Sequence, residues 1–460
     1  QTDKRGLAPD YGPLFEALDG IAAALRDRPA GNVPLVVFES TLAPSSMTTL
    51  VRDLFARHGL VEGRDVLLGN SPNRVMPGRL VERVSTSDKL AAGLHPDTPG
   101  LIARLYANIV TKAVIHTTNS MTAEVVKTLE NAYRDVRIAF AAEVARWCDA
   151  RGVDFYALRA RVNGAIAQAD AADTDANAVP SGGVLVPTVG VGGHCLPKDG
   201  ILLWWRALEA DRSTRSSLIL AARRINDASP AETLRMAEAA FGSLAGRAVT
   251  LLGAAYRFNS EDTRNSPTLA LGLLLRAAGA KVTLHDPHVY PTDQNLARTG
   301  LTDAFTRDLD AAVGDADVIV LCTAHREYLD GRAAILAAAP RAVGVVDSCN
   351  AWRAVDMAGG RVGYVGIGRG AEAPSDALVD DVVASFRAVE TGVANEVDAL
   401  LRFLNERYAG DDFNAVRFSE VQRIARTCVT GCAVVDAGPV AALASKSGFA
   451  SELAALAVTA

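Results

Sequence analysis

The sequence predicts an α/β fold: two parallel-sheet units joined by a long central helix, with a helical extension at the C-terminal end. Three observations carry that expectation. Short apolar runs alternate with helical stretches between residues 33 and 98 and again between residues 248 and 366. Between those regions one apolar stripe keeps helical period, and beyond residue 370 strand signals stop while a second such stripe begins. At roughly 100–200 residues per domain, the 460-residue chain holds two to four units, expected at residues 1–98, 99–236, 237–370 and 371–460.

In the first unit, Val33-Pro34-Leu35-Val36-Val37-Phe38 is a short apolar run of the kind a buried parallel strand shows. Ser45 and Ser46 are placed to cap the helix that follows, and residues 65–69 form the next strand. Pro72, Pro77 and Gly78 then mark a loop over residues 71–78. Leu129, Tyr133, Val136, Phe140, Val144 and Trp147 step by three or four, one face of a helix about 40 Å long at 1.5 Å per residue. A helix of that length connects lobes or builds a dimer interface. Residues 165–183 are rich in Ala and Asp and end in Pro180-Ser-Gly-Gly183, which reads as an exposed insertion.

The second α/β unit opens near residue 237. Strands are expected at residues 248–252, 281–285, 318–322 and 343–347, and Pro267 sits where a first helical position needs no N–H. Gly363-Tyr-Val-Gly-Ile-Gly368 superficially resembles a glycine-rich nucleotide loop, but it runs into Arg369 and Pro374 rather than into a helix; it is expected to be the closing strand. Val382, Phe386, Val389, Val393, Val397, Leu400 and Leu404 form the apolar stripe of the extension, whose role the sequence does not disclose.

Composition excludes several classes. The net charge is −6, 22% of residues are charged, and no sustained Lys/Arg block offers a nucleic-acid footprint. No apolar stretch approaches the roughly 18 residues of a membrane span, and the chain opens without the apolar core of a secretory signal. Six cysteines are too sparse for a disulfide scaffold, so a reduced, cytoplasmic protein is expected. Cys428 and Cys432 read as buried apolar fillers on a helix. His285, His288, Cys322 and His325 lack the spacing of helix-borne metal ligands, and no metal is expected.

The most informative stretch is Thr188-Val-Gly-Val-Gly-Gly-His-Cys-Leu-Pro-Lys-Asp199. Its glycines, Gly192 and Gly193 among them, let backbone approach a ligand. Cys195 follows at once, and a neighbouring ammonium such as that of Lys198 favours the nucleophilic thiolate. From these residues alone, a structural cysteine behind a glycine turn is equally compatible, as are a solvated Lys127 and a plain salt bridge at Asp199.

This string resembles the active-site signature of the UDP-glucose/GDP-mannose dehydrogenase family. Glu39-Ser-Thr-Leu-Ala-Pro44 is similar to that family's Ser-Thr-x-x-Pro segment, and residues 71–78 resemble its Ser-Pro-Glu-Arg-x-x-Pro-Gly loop. Lys127-Thr-Leu-Glu-Asn131 resembles its Lys-x-x-x-Asn helix, and residues 253–267 its Gly-x-x-Phe-Lys…Asp-Thr-Arg-x-Ser-Pro stretch. The five motifs stand in the family's order. The resemblance implies two Rossmann-like units and four-electron oxidation of a nucleotide sugar's C6 alcohol to the uronate, with two NAD⁺ consumed.

Cys195 is implied to capture the aldehyde as a thiohemiacetal, whose oxidation leaves a thioester for water to hydrolyse. Lys127 and Asn131, four apart on one helix face, are implied to stabilise negative charge on the C6 oxygen. Asp199 and Thr41 are implied to position or activate the water. Lys198 and Arg264 are implied to contact the cofactor's diphosphate, and Arg74, Arg257, Gly192 and Gly193 to hold the substrate. The motif forms are closest to the branch acting on UDP-N-acetylhexosamines, UDP-N-acetylmannosamine among them. A homodimer is expected, although which nucleotide sugar is used is not legible.

Two departures stand out. Asn73 replaces the family's Glu, and an amide cannot accept a proton at neutral pH. The family's Gly-x-Gly-Tyr-Val-Gly loop for NAD pyrophosphate does not precede Val33, so the chain is expected to begin partway into the first unit, short of roughly 80–90 residues at usual βαβ sizes. Both departures favour the alternative of a truncated or repurposed, non-catalytic dimer that binds a nucleotide sugar without holding NAD productively, whereas the intact Cys195, Lys127, Asn131 and Asp199 argue against it; a fragment of a full-length enzyme is the third alternative.

Overall fold

The computed structural model describes residues 2–3, 7–26, 28, 31–74, 80–172, 182–211, 217–425 and 445–459. Cys428, Cys432, residues 75–78 of the expected loop and residues 173–181 of the expected insertion lie outside them.

The chain opens with a two-stranded antiparallel ribbon, β1 (Thr2–Asp3) and β2 (Ala8–Pro9), and helix α1 (Gly12–Arg26). A four-stranded sheet follows, from β3 (Leu35–Phe38), α2 (Arg52–Arg57), β4 (Leu67–Asn70), α3 (Leu80–Thr86), β5 (Lys89–Gly93), α4 (Thr98–Tyr106) and β6 (Ile115–Asn119). Its strands lie in chain order. β3–β4 and β5–β6 are parallel, whereas β4 and β5 run antiparallel through Gly69↔Gly93 and Asn70↔Ala92. Both glycines are required there, because a Cβ on Gly69 would stand 2.5 Å from the Ala92 carbonyl and one on Gly93 2.4 Å from Thr98.

Ser45 and Ser46 do not cap the helical segment after β3. Ser45 has φ 73°, and the Ser46 hydroxyl donates back to Ala43 O at 2.7 Å. The amides of Ser45 and Met47 are instead taken by the carboxylate of Glu124, at 2.8 and 2.9 Å. A side chain from another helix thus satisfies N–H groups that a local cap would otherwise have met.

The central helix α5 (Ser120–Asp149) carries the expected stripe, and the Asn119 side chain caps it by accepting from Thr122 N. It is enclosed rather than exposed: 21 of its 30 residues are buried. Around it pack α6 (Phe155–Ala172), α7 (Leu196–Ala210) and α8 (Leu218–Phe241), whose Pro230 lies inside the helix. Residues 165–172, expected in an insertion, continue α6.

The second sheet is wholly parallel. It comprises β7 (Ala248–Leu252), α9 (Pro267–Ala277), β8 (Lys281–His285), α10 (Gln294–Thr299), β9 (Phe305–Thr306), α11 (Leu309–Val313), β10 (Val318–Leu321), α12 (Arg326–Asp330), α13 (Arg332–Ala338), β11 (Gly344–Asp347) and β12 (Gly363–Gly366). Strand order is β12-β11-β10-β7-β8-β9, with the reversal between β10 and β7 that doubly wound sheets use for ligands. β10 and β11 are buried throughout, which explains their unbroken apolar reading. Pro267 takes the first helical position as expected, and β12 closes one edge.

The extension forms α14 (Asp376–Leu404), α15 (Phe418–Ala425) and α16 (Glu452–Thr459). Val382, Phe386, Val389, Val393, Val397, Leu400 and Leu404 sit in the same apolar core as α5–α8. Glu396 fastens α14 to the first turn of α8 through Ser217 Oγ and Leu218 N, and Glu143 of α5 accepts from Ser451 and from Glu452 N at the start of α16.

Candidate active site

Cys195 is the N-cap residue of α7 and is exposed. Its carbonyl accepts from Lys198 N at 3.1 Å and Asp199 N at 2.9 Å, so the first turn of α7 sets Lys198 and Asp199 beside the cysteine. Asp199 is fully buried. Its carboxylate accepts from Asn131 Nδ2 at 2.6 Å and pairs with Lys198. Helix α5 therefore meets the cysteine turn at the amide expected to face the substrate. Lys127, one turn earlier, is also buried.

The glycine run is clamped to the loop after β7. Gly193 N donates to Arg264 O and Asn265 Nδ2 donates to Gly193 O, both at 2.8 Å. A Cβ on Gly192 would stand 2.4 Å from Tyr256 Cβ; one on Gly193, whose φ is +88°, would stand 2.9 Å from the Tyr256 ring. These glycines permit contact with protein, the ring of Tyr256, which is held over the loop that leads to the thiol. Burial raises the Tyr256 hydroxyl above its usual range.

Other expected residues are placed with different partners. Arg74 pairs with Glu130 of α5. Glu130 is raised by burial, with Arg74 and Lys127 opposing that shift. Arg264 is bound to Asp262 at 2.6 Å, and Arg257 lies against the Phe258 ring at 5.8 Å. Thr41 begins the segment whose amides Glu124 holds, and Arg206 of α7 donates to Ser45 Oγ at 2.8 Å. His194 is lowered by burial and by the charges of Lys198 and Arg264, so it is neutral near pH 7.

Asn73 is exposed and its Oδ1 accepts from Lys89 Nζ at 3.3 Å. Lys89 also donates to Glu39 Oε1 at 3.2 Å and Ser71 O at 3.3 Å. Burial alone would raise Glu39, but the Tyr106 hydroxyl and Lys89 hold it below the usual carboxylate range. Glu39, Asn73, Arg74, Lys89 and Tyr106 line a cavity of about 260 Å³. A larger cavity of about 510 Å³ lies at the far end of α5 against α8 and Arg369; it reaches the glycine segment only at Pro187 and Thr188 and contains none of Cys195, Lys127 or Asn131.

Sequence reasoning missed Glu124, Glu130, Tyr256 and Arg206. Glu124 was findable, because it precedes Lys127 by three and Asn131 by seven, on one helix face. Nothing local marked the other three.

Among the described residues, His288, His325 and Glu327 bring ligand-type atoms within 4.8 Å of one another. Both His325 nitrogens are committed: Nδ1 accepts from Asn259 N at 2.9 Å and Nε2 faces Asp286 Oδ2 at 3.0 Å. No lone pair remains there for a cation. No helix among the described residues is long and apolar enough to cross a membrane.

Residues 121–228 match the UDP-glucose/GDP-mannose dehydrogenase family, central domain, and residues 250–354 match the same family's UDP binding domain. The UDP-N-acetyl-D-mannosamine dehydrogenase of Pyrococcus horikoshii is 34% identical over 332 residues, 71% of this chain and 70% of that protein. That of Methanococcus maripaludis is 30% identical over 318 residues, 69% of this chain and 64% of that protein, so part of these relatives' length has no counterpart in the match. Among solved structures, the NDP-N-acetyl-D-galactosaminuronic acid dehydrogenase of Methanosarcina mazei Go1 superposes with TM-score 0.67 at 28% identity, covering 80% of this chain and 76% of that one.

Proposed function

The chain belongs to the UDP-glucose/GDP-mannose dehydrogenase family, and we propose on that footing that it oxidises the C6 alcohol of a UDP-N-acetylhexosamine to the uronate, with Cys195 as nucleophile. The observation that carries this reading is the meeting of Asn131 and Asp199 at 2.6 Å, which joins the Lys-x-x-x-Asn helix to the turn that presents the thiol. The substrate class follows the names of the relatives.

The chemistry divides among named groups. The Cys195 thiolate adds to the C6 aldehyde, converting it to a thiohemiacetal and keeping a reactive intermediate attached. Lys127 and Asn131 provide an ammonium and an amide for the developing oxyanion. Asp199 holds both Asn131 and Lys198 and so fixes the spacing between the helix and the thiol. After oxidation, water cleaves the thioester, Cys195 leaves as thiolate, and the uronate is released.

The oxidant implied by the family is NAD⁺. Residues 363–366, which superficially resemble a glycine loop, form a strand. Asn73 supports a second reading: a member that binds the UDP-sugar without turnover. A cytoplasmic setting and a homodimer complete the proposal; the stripe of α5 is enclosed by the chain's own helices, so a dimer seam must lie elsewhere.

An NADH absorbance assay with a panel of UDP sugars tests the reading. The expected result is two NADH per sugar for the unaltered chain and no acid from Cys195→Ala. Turnover indifferent to Cys195 overturns the mechanism, and UDP-sugar binding without any NADH favours the second reading. A monomer by light scattering at micromolar concentration excludes the dimer.

A further inference from the structure

The loop over residues 253–264 carries Arg257, clamps the glycine run through Arg264, and leaves the C-terminal end of β7 at the reversal point of the sheet. Its own support comes from behind. Gly253 turns with φ +104°, where a Cβ would stand 2.5 Å from Thr323 Cβ, and Thr323 Oγ1 donates to Ala255 O at 2.6 Å. Asp286, at the end of β8, accepts from Ala255 N at 2.9 Å through the same oxygen that faces His325 Nε2. Its other oxygen accepts from His288 N and Val289 N. His325 and Asp286 both have fully buried side chains.

His325 reaches the loop directly. Its Nδ1 accepts from Asn259 N at 2.9 Å, which requires Nδ1 to be unprotonated and places the ring proton on Nε2, toward Asp286. Asn259 has φ +50° and receives Arg326 N on its own Oδ1 at 3.2 Å, so this left-handed residue is tied at both its amide and its side chain. Burial alone would raise Asp286, but His325 and the amides of Ala255 and His288 together hold it below the usual carboxylate range. The acceptor that secures Asn259 is thus maintained by a buried anion on the adjacent strand.

We propose that His325, oriented by Asp286, is a positioning residue that holds residues 253–264 in the conformation that receives the nucleotide half of the substrate. This rests on the UDP-sugar reading above. His325 touches no substrate; it acts through Asn259 on Arg257, two residues away, and through the loop's clamp on the thiol-bearing turn.

Two substitutions separate this role from simple support. His325→Asn keeps an oxygen acceptor near the Nδ1 position, toward Asn259 N, whereas His325→Gln keeps a donor near the Nε2 position, toward Asp286. Binding of UDP to the full chain by titration calorimetry is the primary readout. The glutamine variant is expected to bind UDP about tenfold more weakly, the worth of one hydrogen bond, and to raise KM for the UDP-sugar with little change in kcat. The asparagine variant is expected to stay within about threefold of the unaltered chain. Asn259→Gly, at an exposed position tolerant of positive φ, removes only the tie to Arg326, keeps the amide that His325 holds, and is expected to stay within about threefold. If the histidine variants do not fold, Asp286→Asn, which removes the anion that faces His325 Nε2, is the test and is expected to weaken UDP about tenfold. Equal UDP affinity in the unaltered and glutamine proteins, or in the unaltered and Asp286→Asn proteins, overturns the inference. So does a loss in both histidine variants that tracks their melting temperatures. Absence of UDP binding by the unaltered chain overturns the UDP-sugar reading itself, and this inference with it.

Discussion

Glu124 offers a sharp test of how the segment leading from Thr41 is held against the central helix. Its side chain is fully enclosed, and burial raises it from 4.5 to about 8 even though the Ser45 and Met47 amides and the charge of Arg206 favour its ionised form. A carboxyl whose folded value exceeds its unfolded value stabilises the fold fully below the unfolded value, and that stability is lost as pH rises toward the folded one. For Glu124 the loss runs from about pH 4.5 to about 8. At 1.36 kcal/mol per pH unit, the part falling between pH 5.5 and 8.5 is roughly 3 kcal/mol. Glu124→Gln cannot ionise and keeps one acceptor for the two amides, so it costs about 1–3 kcal/mol at pH 5.5. Urea unfolding of both proteins at the two pH values measures the difference, in which other titrating groups such as Glu143 and Glu396, each raised to about 7 by burial, cancel. The variant's deficit should vanish or reverse at pH 8.5. A deficit constant to within about 0.5 kcal/mol, well under the roughly 3 kcal/mol expected, would show that burial does not govern this carboxyl and refute the reasoning.

Gly192→Ala should destabilise the chain by about 1–3 kcal/mol in urea unfolding, because its Cβ would stand 2.4 Å from Tyr256 Cβ, and kcat should fall with it as the thiol three residues on is displaced. Asn73→Glu keeps the acceptor toward Lys89 and restores a group able to take a proton from water; if thioester hydrolysis limits turnover, steady-state acid release should rise about tenfold in stopped-flow assays, within the range of general-base effects, while the first NADH burst is unchanged. Truncation after residue 375 should abolish cooperative thermal unfolding seen by calorimetry, since it removes the apolar face of α14 from the core shared with α5–α8; a truncated chain with an intact transition would make that helix dispensable.

The parts of the fold legible in the sequence are those whose periodicity survives burial on a single pattern. Strands β7 and β8 begin and end at the expected residues because turn residues bound their apolar runs, and α5 reads cleanly from its stripe. Helix α8 did not announce itself: Pro230 sits in its interior, where local rules place a break, and packing against α5 and α9 overrides that preference. The end of α6 was hidden by an Ala/Asp composition that resembles a loop, although Ala is the strongest helix former. At the site, motif spacing nominated residues on each segment but not their mutual distances. That Asp199 would bind Asn131, or that Tyr256 would fill the space over Gly192, depends on contacts between segments more than sixty residues apart, which no local pattern encodes.

One face of α5 ties the proposed chemistry to the bulk of the fold. Along it, Glu124 holds the segment after Thr41, Asn131 donates to Asp199 in the first turn of α7, and Asp135 accepts from Arg223 and Asn226 of α8, each at 2.8 Å. Burying such polar groups on one helix is costly unless each is paired, and Glu124, Asn131 and Asp135 are paired with three different segments. A shift of α5 by one turn would break the Glu124, Asn131 and Asp135 bonds together. The position of Asn131 is therefore fixed by the apolar core around α5, against which the glycine loop sets the turn of Cys195. Substitutions deep in that core, at α14 for example, should reach the site through α5 without touching any residue that contacts substrate.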